Sequence, residues 1–508
     1  MMSDLKHICQ DIHEEIFVPG PGMKGSELRA EPLFLWYDYF SCPQLDKNDF
    51  SKAIDSIPAY IANSAFFFVL APVIESPRMS MVFTSATWAD RAWCRVERLC
   101  RELSPEGSYI IIKDKKHFEV ASSCVGSFVT PPGEGTFKVA ADRAKLGPVL
   151  QKALQRKLLI LLEMQDFVGY RVLLNLQPVL LRGFKVQPSY AMIPSNREIS
   201  SKLDVASHAV AEFLFQNGFC TVNEVDSCGW SPLHYAALRG EPLLIQSLLE
   251  QRADIDCKTK KANRKHGAMK GIVSLDLCMR HGNNEAGRLL ISAKASVDSC
   301  WLVPHASIGD NAEGVRMLCE AGCSPLARDP LGTLAISVAC TFGSINALEE
   351  LVTQAGHSLE AADLAQAMFF AVTLKGRGEI VQRLSDLRAD INAQRDVKML
   401  SPLGLINMMK SLEYRLGRVT PLTRLSYHTQ GCTALMAAIM MGHYDSAAIL
   451  VAAGARIDLC TARGLTAADF AKEQTIPDFV RQALEGSREA CVTVAHMAQD
   501  GGLIEVLL

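Results

Sequence analysis

The sequence has 508 residues and no long apolar run. Its most apolar stretch, Ala59 to Ile74, carries Asn63 and Ser64. A membrane-spanning helix needs about 20 apolar residues, so a span is disfavoured. Neither sign of charge dominates. The 52 basic and 55 acidic residues leave a net charge of −3, and no global field directs the chain to nucleic acid or an anionic membrane. Cysteine is sparse for a disulfide scaffold, which needs about 8–10%. None of the 16 cysteines forms a Cys-x-x-Cys pair, and no Cys/His cluster has zinc spacing. Cys319 and Cys323 are the one close pair. This usage predicts reduced thiols acting as small apolar residues in the cytoplasm. The opening MMSDLKHICQDIHEEIF has no apolar h-region, so no secretory signal is expected. The nucleotide, zinc-protease and serine-hydrolase motifs G-x-x-x-x-G-K-[ST], H-E-x-x-H and G-x-S-x-G are absent. Gly20 to Gly25 does spell G-x-G-x-x-G, but it follows a helical pattern rather than a strand and reads as a loop.

What is present is a repeat. A glycine, an amphipathic Leu-rich stretch and a small or turn residue recur together. The pairs are Gly240/Ala253, Gly282/Ala295, Gly309/Cys323, Gly343/His357, Gly376/Ala389 and Gly442/Ala455. The spacing within a pair agrees to one position throughout. The steps between pairs average to a period of about 33 if the long one, from Ala389 to Ala455, is two periods. That reading places one degenerate unit between Ala389 and Ala455 and an irregular segment near residues 401–429. The step from Ala253 to Ala295 is also long and contains an insertion at about residues 258–270. Lys258, Lys260, Lys261, Arg264, Lys265 and Lys270 make it the most basic stretch in the chain. It reads as a solvated loop, with nuclear import or an anionic partner as the alternative.

Gly229-Trp230-Ser231-Pro232-Leu233-His234-Tyr235-Ala236-Ala237 resembles the T-P-L-H-x-A phrase of ankyrin repeats. Pro232 suits a first helical turn, Ser231 a cap and Gly240 a left-handed stop. The segments starting at Gly431 and Gly464 are weaker versions. Residues 301–306 lack the phrase. The resemblance covers about residues 201–490 and implies an all-α solenoid of about seven to nine units that binds a protein partner on its concave face. The candidate contacts are Trp230, Tyr235, Arg239, His428, Met436, Met440 and His443, since aromatic and Met residues are enriched at interface cores. The competing reading of Met436 and Met440, four apart on a helix, is stacking core.

Residues 1–165 have a different rhythm. Leu33–Tyr37, Ala65–Leu70 and Tyr109–Ile112 have strand character. They alternate with helical patterns: Leu5 to Ile16, Phe50 to Ile61, Thr87 to Leu103 and Ala140 to Leu162. This predicts a parallel sheet with crossover helices. Trp93-Cys94-Arg95-Val96-Glu97-Arg98-Leu99 resembles the W-C-x-x-E-L helix of Toll/interleukin receptor (TIR) domains. The resemblance implies an incomplete flavodoxin-like α/β domain lacking its first strand, and a second interaction module. Some members of that family hydrolyse NAD with a glutamate on this helix, which by position is Glu97. The plainer reading of Glu97 is a surface i,i+4 pair with Arg101.

Residues 166–200 read as a helical connector, with Val172–Leu181 docking the domains or capping the solenoid. Residues 491–508 are left as a tail. The sequence therefore points to a protein-binding scaffold, cytoplasmic or nuclear, with no cofactor and no metal. The alternative is an NAD-hydrolysing enzyme using Glu97, with NAD as substrate.

Overall fold

The computed structural model describes residue 36 and residues 46–105, 107–114, 118–122, 130–194, 205–262 and 269–500. The expected helix at Leu5–Ile16, the loop at Gly20–Gly25, most of the strand at Leu33–Tyr37, Arg264, Lys265 and the tail from 501 lie outside those residues.

Asp46 starts the first helix, α1 (Lys47–Asn63), by accepting from the backbone of Asn48 and Asp49 at 2.8 and 3.0 Å. Its Ile54, Ile57 and Ile61 are buried. Strand β1 (Phe68–Leu70) follows, then a hairpin of β2 (Ile74–Ser76) and β3 (Met81–Phe83). Strand β4 (Ser108–Ile112) pairs parallel with β1 and antiparallel with β5 (Phe118–Ser122), giving the order β1-β4-β5. The sheet is therefore mixed, not the all-parallel sheet that the sequence predicts. The cause is length. Only the short stretch from 113 to 117 separates β4 from β5, and a parallel return needs about a dozen residues.

The helix expected at Thr87–Leu103 is two helices, α2 (Ser85–Asp90) and α3 (Ala92–Leu103). Arg91 is extended between them. Ala92 donates to the Thr136 carbonyl at 3.0 Å and Thr136 donates to that of Asp90 at 2.8 Å. This distant bridge outcompetes helical continuity. Arg101 is not on the surface. It is 2% exposed, and its guanidinium donates to the carbonyls of Ser108, Ser64 and Ala65 at 2.6, 2.6 and 3.0 Å. It thus ties the entry of β1 to the start of β4.

Helices α4 (Asp142–Glu163), α5 (Phe167–Leu180) and α6 (Val205–Asn217) lead into the solenoid. Seven helix pairs follow among the described residues. Their first helices are Pro232–Arg239, Ser274–His281, Leu302–Ile308, Ala335–Phe342, Ala361–Ala371, Ala434–Met440 and Ala467–Lys472. Their second helices are Pro242–Glu250, Asn284–Ser292, Ala312–Glu320, Ile345–Ala355, Gly378–Asp386, Tyr444–Ala452 and Asp478–Leu484. The third pair forms although residues 301–306 lack the helix-start phrase. Helix α5 packs on the first helix of pair one and α6 on its second helix, so together they cover the end of the stack. The last helix, Glu489–Asp500, folds back on the second helix of pair six. One apolar core runs from Ile54 through α4 and α5 to Val494.

Hairpin fingers lead into pair one and join pairs one to two, three to four, five to six and six to seven. Each regular finger closes with one hydrogen bond between residues four apart: Asp226 N–H to Trp230 O at 3.0 Å, Asp329 to Thr333 at 2.9 Å, Thr461 to Leu465 at 2.9 Å. Two fingers make the same bond across longer loops, Thr259 to Ile272 and Arg395 to Cys432, both at 3.0 Å. In the second of these the extra chain is about 33 residues, one repeat period. The double step from Ala389 to Ala455 is therefore one repeat period plus an insertion of nearly equal length. The degenerate unit expected there is not formed. The first helix of pair five packs directly on that of pair six. The extra residues form a helical hairpin, Pro402–Arg415 and Pro421–His428, standing on the finger.

Candidate functional site

An antiparallel pair has two ends, so the stack has two edges: one of fingers, one of the turns joining first to second helices. The α/β region and the connector after α5 occupy the turn edge. Arg182 donates to the His281 carbonyl at 2.6 Å, at the turn of pair two. Arg377, in the turn of pair five, pairs with Asp90 at 2.5 Å. Lys113 reaches the Met441 carbonyl and the His443 ring, both at 3.0 Å, at the turn of pair six. Tyr444 donates to Asp114 at 3.2 Å.

The sequence-predicted contacts lie inside this framework. Trp230 and Tyr235 are 1% and 0% exposed, with ring centroids 5.3 Å apart. The Tyr235 hydroxyl donates to Asp226 at 2.6 Å. Met436 and Met440 are buried stacking core, which is the competing reading of their spacing. His443 is buried in the turn-edge seam, with Nδ1 2.9 Å from the Val372 carbonyl. Arg239 covers the Tyr190 ring at 3.5 Å and pairs with Glu241 at 2.8 Å. His428 packs on Phe470, ring centroids 5.1 Å apart, and anchors the inserted hairpin to pair seven. These residues fall in two places, Trp230, Tyr235 and Arg239 at pair one and His428, Met436, Met440 and His443 around pair six, and their described contacts are within the fold.

His234 shows why the repeat phrase is internal. Its Nδ1 lies 2.9 Å from Ser231 Oγ and accepts from the Ser231 N–H at 3.1 Å. Its Nε2 reaches the Ile272 carbonyl of the next unit at 3.3 Å. Burial lowers its pKa to about 4 despite that carbonyl and nearby aspartates, so a neutral imidazole links two units. Residues 228–260 and 430–462 match the ankyrin repeat family. These two segments are ankyrin repeats. The second ankyrin segment begins at the end of the inserted hairpin, so the match resumes where the finger closes. No curated protein matches the chain.

Beyond the ankyrin units, Glu97 is half-buried on α3. Burial, and then the Glu97 carboxylate, pushes the Cys100 thiol up to about 12. Neither this geometry nor the family match supports a TIR module or NAD hydrolysis. Among the described residues, no group of three or more His, Cys, Asp or Glu could hold a metal ion. None of the described helices is long and apolar enough to cross a membrane.

The surface that sequence reasoning missed is on the inserted hairpin. Leu405, Met409, Leu412 and Leu416 are 44%, 62%, 56% and 78% exposed. They are spaced four, three and four apart, the rhythm of a helical seam. That rhythm is legible in the sequence, but reading the segment as an irregular repeat hides it. The hairpin is firmly mounted. Tyr414 stacks on Tyr427 with ring centroids 4.7 Å apart, Arg463 covers Tyr427 at 3.9 Å, and Arg424 pairs with Glu473 at 2.6 Å. Of the basic finger loop, Lys258, Lys260, Lys261 and Lys270 are described, and the Lys260 and Lys261 N–H groups donate to the Cys228 carbonyl of the preceding finger at 2.9 and 3.1 Å.

Proposed function

We propose that this protein is a binding scaffold whose protein partner docks on the finger edge, with the inserted hairpin as the principal contact. The ankyrin repeats support protein binding. The observation that carries the choice of surface is the exposed seam of Leu405, Met409, Leu412 and Leu416 on an anchored helix. Apolar side chains at helical spacing on a fixed mount fit an amphipathic helix laid into a groove. The turn edge is already taken by the α/β region and the connector. A reducing compartment is the proposed setting, since the described cysteines are all free thiols.

The test is cross-linking mass spectrometry of the full chain in cells, comparing wild type with the double variant Met409→Glu, Leu412→Glu. Two lost anchors of about 2 kcal/mol or more in total weaken binding at least about thirtyfold. Leu243→Glu, at a site 73% exposed on the second helix of pair one, is the control. Partners lost in the double variant and kept in Leu243→Glu support the reading. An unchanged set of partners refutes it.

A further inference from the structure

The inserted helix Pro402–Arg415 is covered on one side. It packs against the second helix of its hairpin, Pro421–His428. On that side Tyr414 stacks on Tyr427, and Ser426 Oγ donates to Asn407 at 3.2 Å. Only Gly404 and Lys410 are buried along its 14 residues. A helix of that length has little stability of its own in water and depends on packing an apolar face. The face available is Leu405, Met408, Met409 and Leu412, with Leu416 at the helix end, and Met408 is 50% exposed. At about 100° per residue these side chains fall in one stripe about 100° wide, opposite Asn407 and Tyr414.

The stripe reads the same in both directions. Leu405 and Leu412 stand equally far from the midpoint between Met408 and Met409. An antiparallel copy of the helix therefore sets Leu405 against Leu412 and Met408 against Met409, the self-complementarity that a two-fold interface needs. Leu416 of one copy then reaches the helix start of the other, where Leu400 is 94% exposed. The mount favours this direction. His428 and Arg424 fix the base of the hairpin to pair seven, on Phe470 and Glu473, and the free end is the turn at Gly417, with φ +90°. Laying each free end on the other's base keeps the two solenoids at opposite ends of the pairing. Like charges stay apart. The two Glu413 carboxylates lie about 13 Å apart along the axis and the two Arg415 guanidiniums about 20 Å, beyond a screening length of about 8–10 Å. The five stripe residues leave open on the order of 600 Å², the upper end for the largest patch of a monomer. Two copies bury about 1,200 Å², which reaches the range of specific interfaces.

We propose that the partner on this stripe is a second copy of the chain, the two hairpins pairing antiparallel about a two-fold axis between Met408 and Met409. The inference rests on the hairpin being the docking surface and names what docks there.

The experiment is sedimentation velocity of the purified full chain over roughly 1–100 µM, the affinity range for an interface at the low end of size. The 55.6 kDa chain gives way to a dimer as concentration rises. Leu405→Glu, Leu412→Glu opposes carboxylates at both ends of the pairing and weakens dimerisation at least about thirtyfold. Leu405→Glu, Leu412→Lys removes the same two side chains but sets each carboxylate against an ammonium, and only in the antiparallel arrangement. It dimerises at least about fivefold more tightly than the Glu/Glu variant. Both positions are exposed, so the two variants keep the wild-type circular dichroism spectrum. Equal weakening in both variants, a dimer that survives Leu405→Glu, Leu412→Glu, or a wild type that stays monomeric at the highest concentration overturns the proposal. A monomeric wild type whose cellular cross-links are still lost in Met409→Glu, Leu412→Glu overturns self-pairing alone and assigns the stripe to a different protein. A monomeric wild type with unchanged cross-links overturns the docking surface as well.

Discussion

Protonating His234 should unlock the first ankyrin unit, and the effect can be sized. An unfolded histidine titrates near 6.5, and burial holds His234 near 4 in the fold. The folded pKa is depressed, so the unfolded chain binds more protons between these values and His234 loses stability as pH falls through that window. The loss is about 2 kcal/mol by pH 5 and about 3 kcal/mol by pH 4. Buried Asp445 and Glu102 are shifted upward, to about 6 and about 8. Their carboxyls favour the fold as pH falls, so absolute stability hides the histidine. The informative quantity is the difference between wild type and His234→Gln. Trp230 reports on the same unit, with its ring centroid 5.8 Å from that of His234. Urea unfolding followed by tryptophan fluorescence, in a background with the other tryptophans replaced by Phe, gives that difference at each pH. At pH 7.5 the wild type is more stable by about 1–2 kcal/mol, the worth of the lost hydrogen bonds. At pH 5 the advantage shrinks by about 2 kcal/mol. A difference that stays constant from pH 7.5 to 5 would show that His234 does not titrate as its burial requires.

Three other perturbations follow from the geometry. Gly376→Ala places a methyl against the His443 ring and strains a positive φ, so it lowers stability by more than about 1 kcal/mol, read from the thermal midpoint. Arg101→Met leaves three carbonyls without their donor and costs about 3–5 kcal/mol. Hydrogen exchange should quicken in β1 and β4 while the seventh helix pair keeps its protection. Replacing residues 396–431 by Ala-Arg-Gly, the sequence inside the regular finger from Thr461 to Leu465, keeps the solenoid folded. Its melting midpoint stays within a few degrees of wild type, whereas collapse of the sixth and seventh pairs would mean that the hairpin holds the stack together.

The helical stack is legible in the sequence because its glycines are positional. Gly240, Gly282, Gly343 and Gly442 sit at positive φ after first helices, where other residues are strained. Their spacing therefore recurs whatever the side chains between them do. The double step from Ala389 to Ala455 misleads for a physical reason too. An insertion of about one repeat period, closed by the same hydrogen bond as a short finger, leaves the flanking register intact. The pairing of Arg395 with Cys432, and the packing of pair five on pair six, separate it from a repeat. The predicted contacts are mostly side chains of the repeat phrase, and these face neighbouring units because each unit must bury its flank. The split of α2 from α3 depends on Thr136, which is remote from both helices in sequence. No local pattern encodes that bridge.

The α/β region grips the turn edge at pairs five and six, and Arg182 of the connector grips it at pair two. A stack of repeats is a spring, with each interface giving a little. Tied at separate points along one side, this spring has a fixed arc. A partner on the finger side that opens or tightens the arc does work against the seam. Load applied at the fingers is thus felt as strain at Asp90, Lys113 and Arg377, and whatever stiffens those ties makes the finger side harder to bend.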